Sequence, residues 1–406
     1  MNNSESSYIV TKDLNAERLW KTSSPLLPYL DMELTERCNN RCVHCYINQA
    51  KNDPEIREKE MNTARVKGIL DQAASLGCLT VRFTGGEPLL RQDISDIYLY
   101  ARRLGIKVRL STNAAEVTPE LGRLLKRYPP GEPVEITLYG MSPSVYESVS
   151  RVRGGFEAAM NGVRLLQENN VPIVIKGVRL PETSEEFPRF ERFAKEISAG
   201  GKSGSVAMNF NLRARRDSKE KNRLIQKLRA TPKETLSFLT RNREAYIKEK
   251  KLFAAKFMRP GGEKLFNCGC GKGGAVDAYG NFQPCLLLRA PELVYDLKNG
   301  SLEDALVNVF PEMRKKKAAN SSYLRRCARC FLQGLCEQCP AHSWMETGTL
   351  DAPVEYFCRV AHEQARFLGL IIAGENAWEV EDWKNRIRNF VKDSYEPYRE
   401  DHAGQY

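Results

Sequence analysis

Three cysteines fall within eight residues in Cys38-Asn39-Asn40-Arg41-Cys42-Val43-His44-Cys45, a C-x3-C-x2-C loop. A loop this short can wrap one face of an iron–sulfur cubane. A cluster with four iron corners and three thiolates keeps one iron open to a small chelating molecule. The alternative is zinc, which favours closed tetrahedral sites built from cysteine pairs and would need a distant fourth ligand. Eight more cysteines follow: Cys268-x-Cys270, Gly280-x4-Cys285, Cys327-x2-Cys330-x5-Cys336-x2-Cys339, then Cys358. Eight thiolates close two four-cysteine clusters, although the third run alone also reads as a zinc ribbon. Only Cys78, in LGCLTVRF, stands apart, and it reads as buried core.

The first loop needs a scaffold that holds it at the end of a strand. From residue 29 to 212, short apolar runs alternate with amphipathic stretches. The predicted strands are Tyr29–Thr35, Thr80–Thr84, Lys107–Thr112, Val134–Leu138, Ile173–Val178 and Val206–Leu212. Helices are predicted between them at Thr63–Leu76, Ile94–Leu104, Pro119–Lys126, Phe156–Asn169 and Glu185–Ile197. Thr118 before Pro119 reads as an N-cap with proline at N1, and Gly77 and Gly105 sit where C-caps belong. This alternation implies parallel βαβ units, in an open sheet or a barrel.

Residues 213–264 change character: RARRDSKEKNR is a charge run, and a long amphipathic helix follows, opened by the capping box Thr231-Pro232-Lys233-Glu234. The segment reads as a solvated helical connector. Residues 265–360 are rich in cysteine and glycine and read as a small domain organised by metal rather than by a large apolar core. Residues 1–28 form an N-terminal extension and 361–406 a helical tail.

The C-x3-C-x2-C loop resembles the signature of the radical S-adenosylmethionine (SAM) superfamily. That resemblance implies an α/β fold, a partial (β/α)6 TIM-like barrel over residues 29–212, with its site at the C-terminal strand ends. Thr84-Gly85-Gly86-Glu87-Pro88 resembles the GGEP motif that binds the SAM amino group, its glycines letting the backbone approach a ligand. Ser111-Thr112-Asn113 resembles the STN-G turn, with Ala114 in place of glycine, and Ile136-Thr137-Leu138-Tyr139-Gly140 resembles ISLDG, with Tyr139 in place of aspartate. The resemblance thus implies SAM contacts at Gly85, Gly86, Glu87, Ser111, Asn113 and Thr137. It adds Arg151 toward the carboxylate and Val178 beside the adenine. His44 takes a usually aromatic position and is read as packing on the cluster. The later cysteines resemble the SPASM extension, apart from a two-residue spacer before Cys339 and the close pair at 268 and 270. The crossed pattern of that extension implies auxiliary cluster I on Cys268, Cys270, Cys285 and Cys339, and auxiliary cluster II on Cys327, Cys330, Cys336 and Cys358.

The cofactors implied are three [4Fe–4S] clusters and SAM, and the activity is formation of a 5′-deoxyadenosyl radical that abstracts hydrogen from a peptide or protein. Maturation of a small cofactor such as a tetrapyrrole is the alternative. A third reading, an iron–sulfur nucleic-acid-binding protein, draws on Arg213, Arg215, Arg216, Lys219 and Lys221 and on a formal charge of +11. Three clusters on eleven thiolates would bring that charge to about +6, and no aromatics interleave the basic run. No apolar stretch is long enough to span a membrane and no signal peptide is evident, so a cytoplasmic location is expected. Fewer than thirty residues precede the first strand, too few for a leader-binding domain of about eighty. The expected partners are therefore a precursor peptide, a separate leader-recognition protein that assists delivery, and an electron donor such as flavodoxin or ferredoxin.

Overall fold

The structure is a computed structural model that describes residues 25–198, 206–208, 210–215 and 217–392. The expected Arg216, the middle of the predicted strand Val206–Leu212, most of the N-terminal extension and the end of the tail lie outside the described residues.

The chain forms two compact units. One runs to Arg229 and also takes in Cys268–Lys315; the other comprises Ala230–Asn267 and the chain from Lys316 onward. The division runs through the expected 265–360 segment, for a reason visible in the sheet. The first unit carries a nine-stranded sheet among the described residues. Its parallel strands are β1 (Tyr29–Thr35), β2 (Thr80–Gly85), β3 (Lys107–Thr112), β4 (Val134–Leu138), β5 (Ile173–Arg179) and β6 (Val206–Met208). Three short strands, β7 (Gly274–Val276), β8 (Asn281–Gln283) and β9 (Tyr295–Asp296), extend it on the open edge of β1. β7 pairs in parallel with β1, Asp31 opposite Ala275, so the first half of the C-terminal cysteine region folds as an edge of the barrel sheet.

The helices cover one face only. Along β2 to β5 burial alternates until the C-terminal ends of β2 and β5. Val81, Phe83, Val108, Leu110, Val134, Ile136, Leu138, Ile173 and Ile175 are buried, while Arg82, Arg109, Ser111, Glu135, Thr137, Lys176 and Val178 are half-buried on the other face. Right-handed crossovers place the helices against the apolar face. These are α1 (Thr63–Ser75), α2 (Ile94–Arg103), α3 (Pro119–Arg127), α4 (Pro143–Ser150), α5 (Gly155–Glu168) and α6 (Phe187–Ile197). Thr118 caps α3 as expected, accepting from Leu121 N, and Gly77 and Gly105 take left-handed backbone after α1 and α2.

In the second unit the long helix expected after Thr231 is two. α7 (Pro232–Leu239) keeps the capping box, and α8 (Arg243–Phe257) starts again at Asn242, whose side chain accepts from Ala245 N. This unit has an apolar core of its own, with Phe331, Leu332, Ala361, Ala365, Leu370 and Ile371 nearly inaccessible and Cys330 and Cys336 packed on it. Burial of apolar groups, largely from the helices on either side of the segment 265–360, therefore joins whatever metal contributes there.

Candidate functional site

The three-cysteine loop leaves the end of β1 and is pinned to α4. The last carbonyls of a helix lack partners within it. Here Ser150 O accepts from Arg41 N at 2.8 Å and Val149 O from Val43 N at 3.1 Å. Cys38 and Cys42 are buried and Cys45 is half-buried. Burial pushes the Cys42 thiol up to about 12, with Cys45 adding to the effect, and the Cys38 thiol higher still, with Glu87 and the neighbouring sulfurs adding to it. Tyr139, at the position where aspartate was expected, hydrogen-bonds the Cys42 thiol and meets His44 edge-on at 5.4 Å. His44 is half-buried and desolvation lowers its pKa to about 4, so it is neutral and packs.

The two glycines after β2 answer to the loop itself. A Cβ on Gly85 would stand 2.1 Å from Thr35 O, and one on Gly86 2.2 Å from Arg37 O. At the same junction Gly86 N donates to Thr35 O and Glu87 N to Arg37 O. In the sequence these glycines read as room for a ligand to approach; the close contact between two strand ends requires them as well. Glu87 is wholly buried, and burial raises its pKa to about 7. Its oxygens accept from Leu89 N, Thr112 Oγ1 and Asn113 N at 2.7–3.0 Å, tying β2 to β3. Asn113 Nδ2 reaches Asn39 Oδ1 at 2.7 Å, inside the cysteine loop. Ala114 adopts φ +64, a left-handed conformation that favours glycine.

Ser111, Thr137 and Val178 lie toward the C-terminal strand ends on the half-buried face, with Ser111 Oγ donating to Glu135. Arg151 ends α4 at φ +58 with its side chain exposed, and its carbonyl accepts from Arg41. The same face carries a charged ladder that the sequence argument did not pick out: Asp31–Arg82 at 2.8 Å, Arg109 with Glu132 and Glu135, and Lys176–Glu135 at 2.6 Å. The signal was present as charges at alternate positions in LDMEL, TVRF, KVRL, VEIT and VIK. The basic run was expected to be solvated, and three of its members are not. Arg215 is 5% exposed, bonded to Asp217 and to Asn48. Arg213 lies 4.5 Å from the Tyr46 ring and Lys221 donates to Asn48. The run folds back onto the residues that follow Cys45, which removes the support it lent to nucleic-acid binding.

Of the later cysteines, the Cys270 thiol hydrogen-bonds both Cys268 and Cys285, and these bonds lower Cys268 to about 6 and Cys285 to about 7. Cys339, in the other unit, caps the helix Pro340–Thr347, its sulfur accepting from His342 N. Cys327, Cys330, Cys336 and Cys358 stand around a single cavity of about 60 Å³, with Tyr323, Arg326, His362 and Trp378 completing its wall. No helix among the described residues is long and apolar enough to cross a membrane.

A parallel partial barrel whose first strand delivers three thiols to one loop is the architecture of an enzyme that holds an open-cornered iron–sulfur cluster. Residues 32–194 match the model of the radical SAM superfamily, whose members hold a [4Fe–4S] cluster and SAM. Fe-coproporphyrin III synthase of Methanosarcina barkeri is 34% identical over 37% of this chain and 36% of its own length. Mycofactocin maturase MftC of Mycolicibacterium smegmatis is 30% identical over 41% and 40%. The chain spans between a third and a half of the first curated relatives it matches. Streptococcus suis SuiB bound to SAM shares the fold at TM-score 0.60 and 18% identity over 82% of this chain and 77% of that one; SuiB has also been solved bound to precursor peptide SuiA.

Proposed function

We propose that this chain is a radical SAM enzyme that modifies a ribosomally made peptide, using one SAM-binding and two auxiliary [4Fe–4S] clusters. The observation that carries the reading is the loop of Cys38, Cys42 and Cys45, held between α4 and the ends of β1 to β3. The donor set fits the cofactor. Thiols driven up by burial ionise only against a cationic core, which an iron cluster supplies. These three cysteines would hold the SAM cluster. Gly85, Gly86, Glu87, Ser111, Asn113, Thr137, Arg151 and Val178 are the proposed surroundings of SAM. Cys268, Cys270, Cys285 and Cys339 would hold auxiliary cluster I, and Cys327, Cys330, Cys336 and Cys358 auxiliary cluster II, the SPASM pattern. When bound, the cluster and SAM supply a 5′-deoxyadenosyl radical for hydrogen abstraction. The chain's own residues position the substrate carbon over the half-buried face and keep water from it.

Peptide chemistry is supported by the likeness to mycofactocin maturase and to the fold of SuiB. A separate leader-recognition protein and a small electron donor are the partners proposed, in the cytoplasm. Identity to Fe-coproporphyrin III synthase favours a second reading, a tetrapyrrole substrate. The test changes Cys38, Cys42 and Cys45 together to alanine. The wild-type chain under dithionite is expected to release 5′-deoxyadenosine, and the triple variant none while keeping C-terminal iron. Undiminished release from the variant would sink the proposal. Peptide and coproporphyrin substrates compared by mass spectrometry decide between the two readings.

A further inference from the structure

We propose that the inner face at the seam of β1, β2, β7 and β8 binds the backbone of a neutral peptide segment, read by Asp31, Arg82, Gln283 and Arg289. The inference rests on the peptide reading above and states how the peptide is recognised.

Four buried polar atoms of the first unit gather on one side of this seam without a hydrogen-bond partner: Asp31 Oδ1, Arg82 Nε, Gln283 Oε1 and Arg289 Nε. Register places them together. Asp31 stands opposite Arg82 across β1–β2 and opposite Ala275 across β1–β7, and Ala275 stands opposite Gln283 across β7–β8. Residues opposite one another share a face, and Arg289 reaches that face by its bond to Glu33, two residues along from Asp31. Asp31 is 9% exposed and Gln283 2%. A buried polar atom without a partner loses its hydration and regains nothing, so it marks a place where something else is expected to bind.

The chemistry of the missing partner follows from the set. Two of the atoms are donors and two are acceptors. A carboxylate satisfies donors only, whereas a peptide backbone presents C=O and N–H at fixed spacing and satisfies both kinds. The cations here are also already matched: Arg82 with Asp31, Arg109 with Glu132 and Glu135, Lys176 with Glu135, Arg289 with Glu33 and Glu36. No cation of this ladder is left over for a polycarboxylate such as a porphyrin. The C-terminal cysteine region supplies half of the set, Gln283 from β8 and Arg289 from the loop that follows it, so the site depends on β7 and β8 joining the barrel.

The test uses the full-length, iron-reconstituted chain. A pool of short, capped, uncharged peptides is passed over wild type, Gln283→Leu and Asp31→Asn, and retained peptides are read by mass spectrometry, with coproporphyrin III as competitor. Wild type is expected to retain a subset of peptides, and each variant to lose at least about tenfold of that retention, the effect of one or two hydrogen bonds. Ester-for-amide analogues of the retained peptides should lose affinity for wild type. The melting midpoint of free Gln283→Leu should equal or exceed that of wild type, because an unpaired buried acceptor has been removed. Equal retention by all three proteins means that ordered water alone fills the seam and overturns the proposal. So does no retention by wild type, displacement of the peptides by coproporphyrin, or a melting midpoint that falls in step with retention. Wild-type 5′-deoxyadenosine release, measured in parallel, judges the peptide-enzyme reading separately.

Discussion

Arg289 donates Nη2 to both carboxylate oxygens of Glu33, at 2.6 and 2.5 Å. Its Nη1 reaches Glu36 at 3.0 Å, and Glu36 lies two residues before Cys38. One side chain, four residues past Cys285, thus ties the later cysteine segment to the approach of the first cysteine loop. A single guanidinium does not fully offset the burial of two carboxylates, and both are held above the usual carboxylate range. Glu33 is the more buried, and burial raises its pKa to about 7 against the attraction of Arg289.

That shift makes stability depend on pH with a definite sign. The folded chain binds the Glu33 proton more tightly than the unfolded chain, whose carboxyl titrates near 4.5. The contribution is fully present below 4.5 and is lost as pH rises through about 7, of order 3 kcal/mol in all. Chemical denaturation of wild type and Glu33→Gln across that window should give curves that diverge as pH rises, wild type losing more. Parallel curves would show that Glu33 is ionised throughout.

Gly86→Ala should fail at the strand junction. Its Cβ would stand 2.2 Å from Arg37 O and 2.5 Å from Glu36 O, both backbone atoms that cannot swing aside. We expect destabilisation of about 3 kcal/mol, at the upper end for overpacking, with weakened iron binding at the first loop. A melting midpoint and iron content equal to wild type would contradict the geometry.

His44→Phe should be tolerated. The imidazole is neutral above pH about 4 because desolvation lowers its pKa, and it meets Tyr139 edge to face. An aromatic ring of similar size keeps the contact, so the pH profile of 5′-deoxyadenosine release should not move. Loss of a limb of that profile in the variant would make His44 an acid or base.

Much of this was legible in the sequence. Lys107–Thr112 and Val134–Leu138 fold with the predicted limits, because apolar runs bounded by turns leave strands little latitude. The cysteine spacing located the first loop for the same reason that it can bind: three ligands in one turn need no tertiary information. What stayed hidden depends on partners far along the chain. Arg215 reads as a surface charge until Asn48 is seen beside it, and Gly86 reads only as a ligand cradle until Arg37 O is placed. Arg82 and Glu135 were visible as alternating charges, but only the pairing of five strands turns them into a ladder.

Arg326 should set the electronic character of auxiliary cluster II, if Cys358 ligates it as proposed. Its guanidinium is fixed from two sides, by Glu355 at 2.5 and 3.0 Å and by the Trp378 ring 4.6 Å away. From that position Nη2 points at Cys358 Sγ, 3.6 Å distant. A cation donating to a cluster sulfur stabilises the extra electron of the reduced state and so raises the reduction potential. His362 adds no comparable charge. Its Nε2 accepts from Ala377 N, which leaves the proton on Nδ1 facing the Cys358 carbonyl, and burial lowers its pKa. Arg326→Met removes donor and charge while keeping length. In the Cys38/Cys42/Cys45→Ala background, an electron paramagnetic resonance titration of the full-length chain should show one auxiliary midpoint moved to lower potential with iron content unchanged. Arg326→Lys, which keeps the charge but not the planar fork, should fall between the two. An unmoved midpoint in the methionine variant would mean that the guanidinium does not reach the ligand sulfur once iron is bound. Loss of iron from it would make Arg326 structural instead.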